Sequence, residues 1–207
     1  MLNLGTILKF IGLPFFAYLL GSIPFGLVLT SVFTSKDLKA EGSGNIGATN
    51  VRRVAGSTLG FLTLAGDILK GAFPVWFAVT MASTDNLWGE AYICLVALLA
   101  VIGHLYPVYT KFKGGGKGVA TTAGCFLALS PMVGITYALV FILFICLFNR
   151  SSAGSLAAAA VLPIAVWEAT GLTIMTGCAF IITIFIYFRH KDNIGRLLSG
   201  TETVIWK

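Results

Sequence analysis

Apolar residues run through this 207-residue chain in long strings separated by short polar segments. The strings at 5–33, 57–81, 88–110 and 172–189 approach or exceed the roughly 20 residues that a bilayer-crossing helix requires. Between 119 and 169 the pattern divides further. The run 119–148 is interrupted at Ser130-Pro131, where proline removes a backbone donor and disfavours helix in the residue before it. It therefore reads as two short helices, about 119–129 and 131–149, and a sixth short apolar string follows at 156–167. The pattern predicts an all-α polytopic membrane protein with seven transmembrane helices, some short, in a single domain covering 1–207. The first string is too long for a secretory signal, contains Lys9 and shows no small-residue cleavage site, so it reads as a retained helix.

With seven helices, the connections after the odd-numbered ones share one side of the membrane. That side collects Lys36, Lys39, Arg52, Arg53, Lys111, Lys113, Lys117, Arg150, Arg189, Lys191, Arg196 and Lys207, while the other has only Lys9 and Lys70 lies within a helix. The excess of Lys and Arg makes the first side cytoplasmic, with the N-terminus outside and the C-terminus cytoplasmic. Fusing 119–149 into one helix gives a six-helix alternative, which the charge bias disfavours.

Composition agrees with the membrane class: 57% of residues are apolar and 11% charged, and mean hydropathy is +0.91. The 24 glycines suit close helix packing in lipid. The net charge of +6 is carried by short segments between apolar strings rather than by a polar domain, which points to membrane topology and anionic ligands, not nucleic acid. Cys94, Cys125, Cys146 and Cys178 all fall in apolar strings without ligand spacing, so no metal site is expected.

Four polar segments share the cytoplasmic side: 41–53 (EGSGNIGATNVRR), 111–118 (KFKGGGKG), 149–155 (NRSSAGS) and 189–196 (RHKDNIGR). Each sets a cation beside glycine or a short hydroxyl or amide side chain, so that N–H groups and positive charge can converge on phosphate oxygens. Any one of them could be a solvated loop obeying the charge rule, but that rule does not call for Gly, Ser, Thr and Asn beside the cations. Arg53 and Lys117 are candidates to screen phosphate charge; Ser43, Asn45, Thr49 and Ser155, with the backbone of Gly115 and Gly116, are candidates to bind it. Lys113 is a weaker one. His190 and Asn193 could orient a reacting hydroxyl.

Two generic motifs fail on context. Residues 42–47 match GxGxxG but follow a membrane helix, not a strand, and the 114–118 run lacks the first glycine and the Ser/Thr of a nucleotide-binding loop. Asp67 and Lys70, three apart on one helix face, should pair with each other and support the site. His104 reads as a packing histidine.

At these residues the sequence resembles the bacterial acyl-phosphate:glycerol-3-phosphate acyltransferases, the PlsY family. The matching segments are GSGNIGATNVRR (42–53), GHLYPVYTKFKGGGKG (103–118) and RHKDNIGRLLSGTE (189–202), spread along the whole chain. One departure is three glycines between Lys113 and Lys117 where the family usually has two, which bears on the reach of Lys117. The resemblance implies acyl transfer from acyl phosphate to the 1-hydroxyl of sn-glycerol 3-phosphate, giving lysophosphatidic acid without cofactor. It implies a site of Ser43, Thr49, Arg53, Lys117, Ser155, His190 and Asn193 on the cytoplasmic face of the bacterial inner membrane, in contact with membrane lipid. Functional coupling to an enzyme that produces acyl phosphate is a further expectation.

The HxxxxD pair of soluble acyltransferases is missing, since Tyr109 and Gly195 stand five residues after His104 and His190. The base is therefore either His190 or the substrate's own phosphate. An organic-phosphate transporter is the rival class, but it should carry its polar groups near the midplane, whereas here they cluster at one surface. A non-catalytic scaffold would leave the clustered Gly, Ser and Asn without a purpose.

Overall fold

The computed structural model describes residues 8–206, with side chains from Phe10 onward. Lys9, Lys207 and the start of the first apolar string lie outside what can be described at side-chain level. All the regular structure among the described residues is helical.

The first string is two helices rather than one. After a short π-turn at Leu8–Gly12, α1 (Leu13–Gly21) and α2 (Phe25–Phe33) meet at an angle of 45°. The cause is Ser22-Ile23-Pro24: proline cannot donate to the helical ladder, and the residue before it is pushed out of helical geometry. The freed Ile23 carbonyl accepts from Lys70 Nζ at 2.8 Å.

Then come α3 (Ala48–Ala55), α4 (Ser57–Met81) and α5 (Leu87–Leu105), the last capped by Asn86 and followed by a 3₁₀ turn at Val108–Thr110. The break at Ser130-Pro131 falls where proline predicts it, between α6 (Val119–Leu129) and α7 (Pro131–Phe148). α8 (Ser151–Thr170) is longer than the apolar string 156–167, because its first turn is built from Ser, Ala and Gly, which carry little hydropathy. The chain closes with α9 (Thr173–Arg189) and α10 (Lys191–Leu198), which meet at 63°. Three segments read as polar loops are thus partly helical: 41–53 contains most of α3, 149–155 the start of α8, and 189–196 most of α10.

Four stretches (Ser57–Met81, Leu87–Thr110, Pro131–Phe148 and Ser151–Thr170) are long and apolar enough to cross a bilayer. Counting each bent pair as one span raises the number to six, and α6 is a shorter apolar helix of 11 residues. Phe61, Leu69, Trp76, Ile142 and Phe180 point outward, more than half exposed, as lipid-facing side chains do. Inside, a core from Ala17 to Ile186 joins α1 to α4–α9, and Leu38, Ile46 and Val51 form a small second cluster that seats the 34–47 loop. α4 and α6 cross in close contact, since a Cβ on Gly71 would strike the Thr121 carbonyl and one on Gly124 the Ile68 carbonyl.

Candidate functional site

The loop before α3 is shaped by its own amides. Gly42 and Gly44 take left-handed conformations, and Asn50, 2% exposed, ties the turn together: its Oδ1 accepts from Ser43 N at 2.8 Å and its Nδ2 donates to the carbonyls of Leu38 and Glu41. Asn45 Oδ1 accepts from Gly47 N at 2.8 Å. This wrapping leaves Ser43 at the edge of α3, whose next turns carry Thr49 and Arg53. Thr49 Oγ1 lies 3.1 Å from Ser151 Oγ in the first turn of α8, bringing the first and third polar segments together. Ser155, one turn on, donates to the Ser151 carbonyl at 2.9 Å and would have to turn from it to reach a phosphate.

The second segment is pinned by Arg189. Its Nε donates to Gly116 O at 3.1 Å and its Nη2 to Gly115 O at 2.7 Å, while Gly116 N donates to the His104 carbonyl. A Cβ on Gly116 would run into the His104 imidazole, so glycine is required for this approach. Gly115 and Gly116, expected to offer N–H groups to a phosphate, are buried behind the cavity described next rather than on its wall. Lys113 is exposed away from it. Gly118, with φ +86°, turns the chain into α6 and leaves Lys117 facing the last segment.

Lys117 Nζ donates to Asn193 Oδ1, and Asn193 Nδ2 donates to Glu202 Oε1 at 2.5 Å. Glu202 also accepts from Ser152 Oγ at 2.7 Å and from Arg196 Nε at 2.7 Å. Burial pushes the Glu202 carboxyl pKa up, but these donors outweigh it and hold the pKa below the usual value, so the group stays ionised. Glu202, Ser151, Ser152, Arg189 and Arg196 were not singled out from the sequence. For Arg189, Arg196 and Glu202 the available signal was the segment RHKDNIGRLLSGTE (189–202), which carries the resemblance and ends in that glutamate.

Burial, with the nearby Arg196 and Arg189, lowers the Lys117 amine from 10.5 to about 8 against the opposing pull of Glu202. His190, just beyond the end of α9, is 2% exposed and is lowered to about 4, first by burial and then by Lys117. Its Nδ1 is 2.8 Å from the Ile186 carbonyl and so carries the proton, which leaves Nε2 as the ring's acceptor.

These segments enclose a cavity of about 640 Å³. Its polar end is lined by Ser43, Asn45, Thr49 and Arg53 from one side and by Lys117, Ser155, His190 and Asn193 from the other. Its apolar arm runs along Leu64 and Ile68 of α4, Ala120 and Ala123 of α6, and Ala138, Phe141 and Ile142 of α7. Leu64 and Ile142 are also 40% and 54% exposed, so the arm opens on the outer surface between α4 and α7.

Asp67 and His104 also line this cavity. Asp67 Oδ1 is 2.7 Å from Lys70 Nζ, as the three-residue spacing predicts, and 3.6 Å from His104 Nδ1. With Lys70 also on the Ile23 carbonyl, the pair clamps α4 to the α1–α2 break.

Comparison with known proteins agrees with this geometry. The sequence model of a family described as glycerol-3-phosphate acyltransferase matches residues 11–200. Proteins of that name from Syntrophotalea carbinolica and Cupriavidus necator are 50% and 40% identical, over 90% and 91% of this chain and 92% and 93% of theirs. Two crystal structures of PlsY (YgiH), an integral membrane glycerol 3-phosphate acyltransferase, superpose on the fold over 94% of both chains. The glycerol 3-phosphate form does so with TM-score 0.88 at 38% identity, and the lysophosphatidic acid form with 0.86 at 37%. A cavity joining clustered cations and hydroxyls to an apolar arm, on a fold shared with these enzymes, places the chain in the glycerol-3-phosphate acyltransferase family, the integral membrane acyltransferases typified by PlsY.

Proposed function

We propose that this protein transfers a fatty acyl group from acyl phosphate to the 1-hydroxyl of sn-glycerol 3-phosphate, giving lysophosphatidic acid and inorganic phosphate. The observation that carries this reading is the two-natured cavity: one end suits two phosphates and the other an alkyl chain that enters from the bilayer. Bringing two phosphates together requires fixed positive charge, and Arg53 and Lys117, both on the cavity wall, supply it. Ser43, Asn45, Thr49 and Ser155 complete the phosphate contacts, while Gly115 and Gly116 hold the Lys117 loop in place.

In the reaction the glycerol oxygen bonds to the acyl carbon, the acyl–phosphate C–O bond breaks, and the hydroxyl proton leaves with a phosphate oxygen. Acyl phosphate already carries a good leaving group, so the protein's work is orientation and charge stabilisation. Asn193, fixed between Lys117 and Glu202, and His190 orient the hydroxyl. With its pKa near 4, His190 is a poor match for a general base at neutral pH, and the substrate's own phosphate takes that part. Replacing His190 with alanine should therefore leave a measurable rate at saturating substrate; loss of all turnover, with glycerol 3-phosphate still bound at the wild-type Kd, would restore it as the base.

In the membrane we read seven segments in one domain: the bent pair α1–α2, then α4, α5, α6, α7, α8 and α9. The N-terminus lies outside, and the site faces the cytoplasm at the bacterial inner membrane, where an acyl-phosphate-producing enzyme would supply the donor. A transporter reading gains nothing from Asp67 and Lys70, which satisfy each other. The deciding experiment follows inorganic phosphate from palmitoyl phosphate with and without glycerol 3-phosphate. Release that depends on the acceptor and equals lysophosphatidic acid formed supports the transferase, whereas flux of glycerol 3-phosphate into sealed vesicles without turnover would overturn it.

A further inference from the structure

The apolar arm has a definite inner end. Along α6 its wall stops at Ala123 and along α7 at Tyr137, while on the adjoining α8 the cavity wall stops at Ser155. One turn further in, each helix is closed by packing: Phe126 is 1% exposed, and Val133, Ala158 and Ala159 are fully buried. Gly134 lies so close to Leu127 that a Cβ there would collide with its backbone. Tyr137 sits eleven residues before the end of α7, so at the helical rise it lies roughly 16 Å inward from Phe148.

Tyr137 is itself unusual. It is 2% exposed and lines the cavity, and its hydroxyl has no hydrogen-bond partner among the described residues. A core tyrosine ordinarily finds such a partner, and where none is available phenylalanine fills the space more cheaply. The wall beside it is made of small side chains, Ala120, Ala123 and Ala138, and the phenol is the innermost large group of α7 on that wall. Phe141 and Ile142 stand nearer the mouth, on the same helix.

The geometry points to Tyr137 as the residue that sets acyl-chain length, its ring forming the stop against which the methyl end of the chain rests. This rests on the acyl-transfer reading and extends it to donor specificity. A chain that ends at the ring fills the arm. A longer one must bend toward the bilayer opening between Leu64 and Ile142, and each methylene left there exchanges close packing in the arm for looser contact with lipid.

The test is a competition. Palmitoyl and stearoyl phosphate are offered together, with glycerol 3-phosphate, to the purified protein in lipid nanodiscs, and the two lysophosphatidic acids are quantified by mass. Tyr137→Ala and the milder truncation Tyr137→Leu should both raise the stearoyl-to-palmitoyl product ratio, the alanine variant by about tenfold. Tyr137→Phe, which keeps the ring, should hold the wild-type ratio. Because the ratio is internal to each preparation, a loss of folded protein does not move it. An unchanged ratio in both shortened variants overturns the proposal, as does a shift in Tyr137→Phe equal to that in Tyr137→Ala. The same competition with acyl-coenzyme A donors separates the two readings: wild type that uses these and not acyl phosphate refutes the donor assignment, and Tyr137 is then judged on their ratio.

Discussion

At the scale of single residues, the group with most leverage is the Lys117 amine. Its charge has to be present if it is to hold a phosphate, and with a pKa lowered from 10.5 to about 8 that charge is lost as pH rises through 8, well before an exposed lysine would lose it. The expected outcome is a kcat/KM for glycerol 3-phosphate that falls on the alkaline side with a midpoint near 8. Lys117→Arg, which does not titrate in this range, should remove that alkaline limb, and Lys117→Met should lower kcat about a hundredfold to a thousandfold at neutral pH. A pH profile of each variant checks both. Much of this candidate set was legible in the sequence, because cations beside small hydroxyl and glycine residues form local patterns, and most of them line one cavity. Glu202 was not legible in the same way. Its task is to fix Asn193 and Arg196, and hydrogen bonds to a carboxylate nine and six residues away leave no mark on composition or spacing.

At the scale of elements, a proline break was readable where the sorting of charges called for an extra crossing, and not where it did not. Ser130-Pro131 sits between two complete apolar strings and was read as a break. Ser22-Ile23-Pro24 carries the same chemistry inside one long apolar run, and the run concealed it. The start of α8 was missed because Ser151 to Ser155 is polar by composition yet helical by packing, with Gly154 pressed against Phe141 and Ile145 of α7. What lets α1 and α2 part at the break is Lys70, which reaches across from α4 to the open Ile23 carbonyl while Asp67 balances its charge. Asp67→Asn would strand that buried cation, and breaking such a pair costs about 3–5 kcal/mol. Thermal unfolding in detergent should show a large fall in Tm for Asp67→Asn, and a smaller one for the double variant Asp67→Asn with Lys70→Met, in which no charge is left unpaired. Additive losses in the double variant would refute the clamp.

At the scale of the whole molecule, the polar end of the cavity is assembled from segments far apart in the chain, and its final piece is the stretch after α10. Glu202, Thr203 and Ile205 form part of the cavity wall, and this strap is clasped from outside. Asn149, at φ 53°, accepts from Ile205 N and Trp206 N and donates to the Trp206 carbonyl at 2.6 Å; Arg52 holds the Ile205 carbonyl and Arg150 that of Glu202. Asn149→Gly, which keeps the left-handed backbone and removes the side chain, should loosen the strap without disturbing the apolar core, lowering kcat/KM about tenfold while Tm changes little; a fall in Tm with kinetics intact would show the clasp to be structural alone. Topology of this kind is beyond a reading of hydropathy, because the strap is neither apolar nor regular, and only its partners give it a place. The order of the chain also has a bearing on biogenesis. Every membrane segment leaves the ribosome before the strap does, so a nascent chain can insert and pack its helices while the pocket still lacks a wall. A product arrested before the strap would then reside in the bilayer as a helical body with an unfinished pocket.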